Sequence, residues 1–171
     1  MFSINKFKLY SQAYAVLSKV TPLYGNCGEL CDAACCKGGD EAGMYLFPGE
    51  EAMYATLPDW LKIEQSDFEY ADGKFAKIAI CNGICDRALR PLSCRLFPLT
   101  PYFERGELKI IIDPRAKSIC PIAKTTDVGQ LSPEFVRRAE YATRFLAYNS
   151  DIYTFMRSLS EMIDEVKRFT D

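Results

Sequence analysis

Eight cysteines and no histidine constrain this chain more than any other feature of its 171 residues. Four of them fall in Cys27-Gly-Glu-Leu-Cys31-Asp-Ala-Ala-Cys35-Cys36. The others are Cys81 and Cys85, then Cys94 in Arg90-Pro-Leu-Ser-Cys94-Arg95, then Cys120 ahead of Pro121. The absence of imidazole removes histidine general-base catalysis and mixed cysteine–histidine zinc sites. What remains is sulfur. Two groups of four thiols match the needs of two tetrahedral cysteine sites or of two iron–sulfur clusters.

Cysteine at about 5% of the residues lies below the level that marks a disulfide scaffold. With 49% hydrophobic residues the chain can bury a core without cross-links. The first twenty residues lack signal-peptide form, because Lys6, Lys8 and Lys19 bracket the short apolar stretch Ala13–Leu17. No apolar run approaches a membrane-spanning length. The expected compartment is the cytoplasm, where thiols stay reduced and clustered cysteines bind metal more often than they pair. A net charge of −2 gives no electrostatic reason to expect nucleic acid or an anionic membrane as partner.

The expected fold class is α+β, as one domain over 1–171. An N-terminal helix within 1–22 precedes a cysteine-bearing core at 23–125 and a helical region at 130–171. Apolar residues at helical spacing from Ile4 to Val20 predict a helix over 3–20, stopped at Thr21-Pro22. Met44–Phe47 reads as a short strand, and Pro48 followed by Glu50 and Glu51 as the start of a helix to about Leu57. Leu61–Phe68 and Phe75–Ile80 flank the turn Asp72-Gly73, and Tyr102–Phe103 and Leu108–Ile112 flank Glu104-Arg105-Gly106-Glu107. Both read as antiparallel hairpins. Ser132-Pro133-Glu134 opens a C-terminal helix, and after Asn149-Ser150-Asp151 the positions Ile152, Phe155, Met156, Leu159, Met162, Ile163, Val166 and Phe169 keep helical spacing. That stripe reads as core against the sheet; a partner-binding surface is the alternative.

Within the thiol pattern, Cys27–Cys31, Cys31–Cys35 and Cys81–Cys85 each enclose three residues, the looser end of zinc spacing. Gly25, Gly28, Gly38 and Gly39 weigh against a stable helix that would merely align these cysteines on one face. The remaining cysteines are expected on strand ends and loops. Adjacent residues rarely aim both side chains at one tetrahedral ion, so Cys35 and Cys36 are expected to serve different sites. Each site would then need both halves of the chain. Arg87, Arg90 and Arg95 around Cys94, with Arg115 and Lys117 before Cys120, could neutralise such a site or be simple surface charge. Glu50-Glu51 and Asp67/Glu69 read as solvated carboxylates.

At CGELCDAACCKG and RALRPLSCRLFP the chain resembles the bacterial cysteine-cluster family of zinc- or iron-chelating domain proteins. Cys27, Cys31, Cys35 and Cys36 match its first block, and Arg90, Pro91, Cys94, Arg95, Phe97 and Pro98 its second. The chain is also distantly similar to the cysteine region of flagellin lysine-N-methylases, without their length or downstream aromatic block. The resemblance implies metal binding by the eight cysteines and leaves zinc against iron open.

The expected function is a metal protein using eight thiolates, with iron–sulfur clusters of the 4Fe–4S type serving electron transfer or a partner enzyme. The alternatives are an all-cysteine zinc protein acting as an interaction module, and a protein-modifying enzyme related to the methylases. Arg90 and Arg95 are expected beside the cofactor without ligating it. The expected partner is a protein or redox partner; catalytic residues and oligomeric state are open.

Overall fold

The computed structural model describes residues 5–37 and 43–170, and it is α+β. Helix α1 (Lys6–Leu17) begins where the Asn5 side chain accepts the Phe7 N–H at 2.9 Å, an N-cap. It ends one turn before Thr21-Pro22. Residues 3 and 4 of the expected helix, like Gly38–Glu41, lie outside the described residues. After the one-turn helix α2 (Gly28–Cys31), strands β1 (Gly43–Tyr45), β2 (Leu61–Ala71) and β3 (Lys74–Cys81) form an antiparallel sheet in the order β1-β3-β2. Gly43 is needed there: a Cβ on it would stand 2.7 Å from the Ala79 carbonyl oxygen.

Beyond the sheet come a short helix α3 (Leu92–Leu96) and a second hairpin, β4 (Leu99–Glu104) and β5 (Glu107–Ile112). The Arg105-Gly106 turn has both residues at positive φ, 50° and 86°, the geometry that matches the twist of the flanking strands. The chain then passes through α4 (Pro121–Thr125), α5 (Pro133–Leu146) and α6 (Ser150–Thr170). Both hairpins and both long C-terminal helices stand where the alternation and the spacing place them.

Helix α6 ties the two sheets together. Its apolar face buries Ile152, Phe155, Met156, Leu159 and Ile163. Phe155 meets the rings of Phe47, Phe68 and Tyr70 at centroid distances of 5.4, 5.9 and 5.6 Å. Ser160 Oγ accepts the Phe103 N–H of β4, and Ser158 Oγ donates to the Tyr70 carbonyl of β2. Phe169, expected on the same stripe, is 90% exposed, because the helix outruns the surface it packs on. Helices α1 and α5 pack together, and Arg138 of α5 donates to the Val16 carbonyl at the end of α1. No described helix is long and apolar enough to cross a membrane.

Two expectations change here. The helix expected from Pro48 to about Leu57 shrinks to a 3₁₀ turn, Glu50–Met53, with Tyr54 already extended. Leu57 precedes Pro58 and so is biased away from helical geometry. Glu50 itself is fully buried, not solvated; Asp67 and Glu69 are exposed as expected. The Glu50 carboxylate accepts from the Tyr14 hydroxyl (2.6 Å), the Phe47 N–H (3.0 Å) and the Leu92 N–H (2.7 Å). It thereby joins α1, the end of β1 and the start of α3.

Candidate metal centre

The cysteine segments are short turns and loop ends held against this frame. Cys27 occupies the position before α2 and Cys31 closes it, with the Cys31 thiol donating to the Cys27 carbonyl at 3.6 Å. Asp32 and Ala33 then both take left-handed backbone, φ 52° and 51°. This break, and not Gly28, ends the helical turn; Gly28 lies inside it. The chain reverses into a 3₁₀ turn, Ala34–Cys36, which carries Cys35 and Cys36.

Cys81 is the last residue of β3, paired with Leu61 at the open end of the sheet, and Cys85 follows in the loop. Cys94 lies inside α3 and not on the strand end or loop expected for it, whereas Cys120 sits in the extended loop backbone that opens α4, as expected. Pro91 and Pro121 occupy the helix-opening positions. Cys120 is 6% exposed; Cys27, Cys31, Cys36, Cys81, Cys85 and Cys94 are half-buried, and Cys35 is exposed. All eight thiols are free.

The loop Cys81–Cys85 meets the first cysteine block backbone to backbone. Gly83, at φ 88°, faces the Cys36 carbonyl so closely that a Cβ would stand 3.1 Å from its oxygen. A cavity of about 110 Å³ opens beside this contact, lined by Cys35, Cys36, Cys81, Cys85 and Cys94 together with Met44, Trp60 and Phe97. A larger cleft of about 550 Å³ continues from it past Cys27, Arg87 and Arg90.

The charges of the thiols act on one another in two neighbourhoods. Burial raises the Cys27 thiol above its ordinary value, and Cys31 and Cys120 add to the rise while Arg87 and Arg90 oppose it. Cys35 feels Cys27, Cys31 and Cys120, although the hydrogen bond to Cys36 dominates and lowers it. Cys36 is raised, chiefly by that same bond to Cys35, and is linked to Cys85. Cys85 is pushed up, first by its bond to Cys36 and then by burial. Cys94 is pushed up by burial, then by Cys81, Glu50 and Cys36, against Arg90. The vicinal pair, whose sulfurs stand 3.9 Å apart, links the two neighbourhoods, and Arg90 acts on both.

The two arginines expected near a cofactor do different work. Arg90 Nη2 donates to Cys85 Sγ at 3.3 Å; burial disfavours its charge, but the Cys85, Cys36 and Cys94 thiols more than offset this. Arg95 touches no thiol in the hydrogen-bond pattern. It donates to the carbonyls of Arg90 (2.6 Å), Arg87 (3.1 Å) and Ala88 (2.8 Å), and stacks 4.7 Å from the Tyr14 ring centre. It clamps the loop that presents Arg90. Arg115 is taken up by Asp113, with a bond from Nη2 at 2.6 Å. Glu50, the buried anchor of α3, was invisible to sequence reasoning because its partners Tyr14 and Leu92 are 36 and 42 residues away.

Among the described residues, no three Cys, Asp or Glu side chains converge as a ready ligand set around one ion. The donor chemistry nonetheless fits a soft metal. Eight free thiols are present, with Arg90 bonded to one of them, whereas the carboxylates nearby are buried by hydrogen bonds, as at Glu50, or exposed. No family model matches the chain, and neither the curated proteins nor the solved structures offer a match.

Proposed function

We propose that this chain is a metalloprotein of a reducing compartment whose eight thiols hold iron–sulfur clusters of the 4Fe–4S kind, passing electrons to or supporting a partner protein. The observation that supports it is that Cys27 and Cys35 lie near enough to Cys31 and to the distant Cys120 for their charges to interact, with Arg87 and Arg90 beside Cys27. Burial and mutual repulsion hold several of these thiols protonated, so a cation that replaces their protons relieves both. Cys27, Cys31, Cys35, Cys36, Cys81, Cys85, Cys94 and Cys120 would ligate. Bound clusters would supply one-electron transfer. Arg90, donating to the Cys85 sulfur, offsets the negative charge of thiolate ligation and raises the potential. Arg95 keeps the Arg90 loop in place. The match of both sequence blocks to the cysteine-cluster family points the same way.

A zinc protein is the second reading. Eight free thiols and no histidine would equally supply two all-cysteine tetrahedral sites with zinc–sulfur bonds of about 2.3 Å. Metal and acid-labile sulfide analysis of anaerobically purified protein separates the two. Two clusters predict a brown protein with about eight iron and eight sulfide per chain. A colourless protein with about two zinc ions transfers the assignment to zinc. Neither metal, with disulfides detected by mass, overturns the metal reading altogether.

A further inference from the structure

Eight thiols can be divided into two sets of four in a way that follows the chain or in a way that crosses it. We infer that they cross: Cys27, Cys31, Cys35 and Cys120 form one metal site, and Cys36, Cys81, Cys85 and Cys94 form the other, back to back across the vicinal pair. This deepens the metal reading above and rests on it.

Three observations carry the division. On the 3₁₀ turn Ala34–Cys36, successive side chains leave the axis about 120° apart, so Cys35 and Cys36 face different directions. Cys36 is held beside the second group by contact: its backbone carbonyl packs on Gly83, midway between Cys81 and Cys85. Cys36, Cys81, Cys85 and Cys94 line one cavity of about 110 Å³, which Cys35 also borders and from which Cys27, Cys31 and Cys120 are absent. On the other side, the left-handed pair Asp32–Ala33 folds Cys35 back toward the turn that holds Cys27 and Cys31. Cys120 is the remaining neighbour of Cys27 and Cys35. It belongs with the first block although 84 residues separate it from Cys36 and only 26 from Cys94 in the numbering.

A site built along the chain would group Cys27, Cys31, Cys35 and Cys36 and leave Cys120 with the middle cysteines. The two divisions differ only in Cys36 and Cys120, and those residues decide the test. Cobalt(II) serves as probe on the reduced full chain, because its thiolate charge-transfer absorption counts filled sites whatever the native metal. Wild type is expected to fill about two sites. Each single Cys→Ser change is expected to remove about one equivalent. The double changes Cys27→Ser with Cys120→Ser, and Cys36→Ser with Cys94→Ser, should then leave one site intact, no worse than either single change. Cys27→Ser with Cys36→Ser, and Cys120→Ser with Cys94→Ser, should leave none.

The reverse pattern, in which Cys27 with Cys36 spares a site, overturns the division, as does uptake of a single cobalt by wild type. Far-ultraviolet circular dichroism checks that the helices of each variant remain. If Cys94→Ser unfolds the chain, Cys85→Ser replaces it, being half-buried in a loop. Iron analysis of the purified protein is independent of this map. Loss of the iron reading with the crossed cobalt pattern intact leaves the ligand sets standing, and the converse result sinks them alone.

Discussion

Around Phe155, three aromatic rings and the apolar face of α5 exclude water; around Cys36 the neighbours are thiols, an arginine and a glycine backbone. The first region uses area. Side chains spread over eight helices and strands are buried there with every buried side-chain polar atom paired among the described residues. The second has Tyr24 and Ile84 almost bare beside the cysteines, and its segments are one-turn helices too short to persist unaided. The difference teaches how the two regions are held. The frame is held by burial, and the thiol face is tied to it at a few points, chiefly Glu50 and Arg95.

The sharpest way to break this contrast is to cut the frame. Phe155→Ala is expected to cost about 3–5 kcal/mol, through lost burial and the cavity left among Phe47, Phe68 and Tyr70. Chemical denaturation checks it. The thiol face cannot survive without the frame, so metal binding should disappear at the same denaturant concentration as the helices. A metal-binding loss that precedes the helical one would mean that the two regions unfold separately.

Glu50 tests the junction. Replacing it by Gln keeps the volume but turns an amide toward donors that a carboxylate satisfied, at about 1–3 kcal/mol near neutral pH. The pH dependence has a definite sign. Burial raises the Glu50 carboxyl above its ordinary 4.5, partly offset by the Leu92 N–H. The native state therefore holds this proton to higher pH than the unfolded chain does. The stability linked to it is fully present below 4.5 and is lost as pH rises through the native value. Wild type minus Glu50→Gln should show that decline in unfolding free energy between acid and neutral pH. A difference that grows as pH rises would mean that the three hydrogen bonds outweigh burial.

The contrast also explains what could be read in advance. The hairpins declare themselves through Asp72-Gly73 and Arg105-Gly106, whose backbone needs are local, and the stripe from Ile152 to Ile163 through a period that burial enforces. That Cys35 and Cys36 should serve different sites is an expectation from adjacency, and so was open to inference. The Gly83–Cys36 contact was not, because a contact between segments 47 residues apart leaves no trace in spacing. Glu50 misled for the same reason: its first-turn position is a helix signal, while its burial is decided by Tyr14 and Leu92.

The smallest expected effect lies inside the thiol face. In the frame's hairpin, positive φ at Arg105 is shared with Gly106, where it costs nothing. In the cysteine block Asp32 and Ala33 take it consecutively, and no glycine stands at either position. Asp32 has a side chain that tolerates left-handed backbone and an ion pair with Lys37; Ala33 has neither. Left-handed backbone costs an L-residue about 1–2 kcal/mol, and glycine gives back about 0.5–1 kcal/mol of that in unfolded-chain entropy. Ala33→Gly should therefore stabilise the reduced, metal-free chain by about 0.5 kcal/mol, whereas Ala34→Gly, in ordinary right-handed backbone, should destabilise it by a similar amount. Paired denaturation midpoints measure both. Equal losses in the two variants would mean that the turn between Cys31 and Cys35 does not hold its left-handed form until metal arrives, and that the face is assembled by its ligand instead of by the frame.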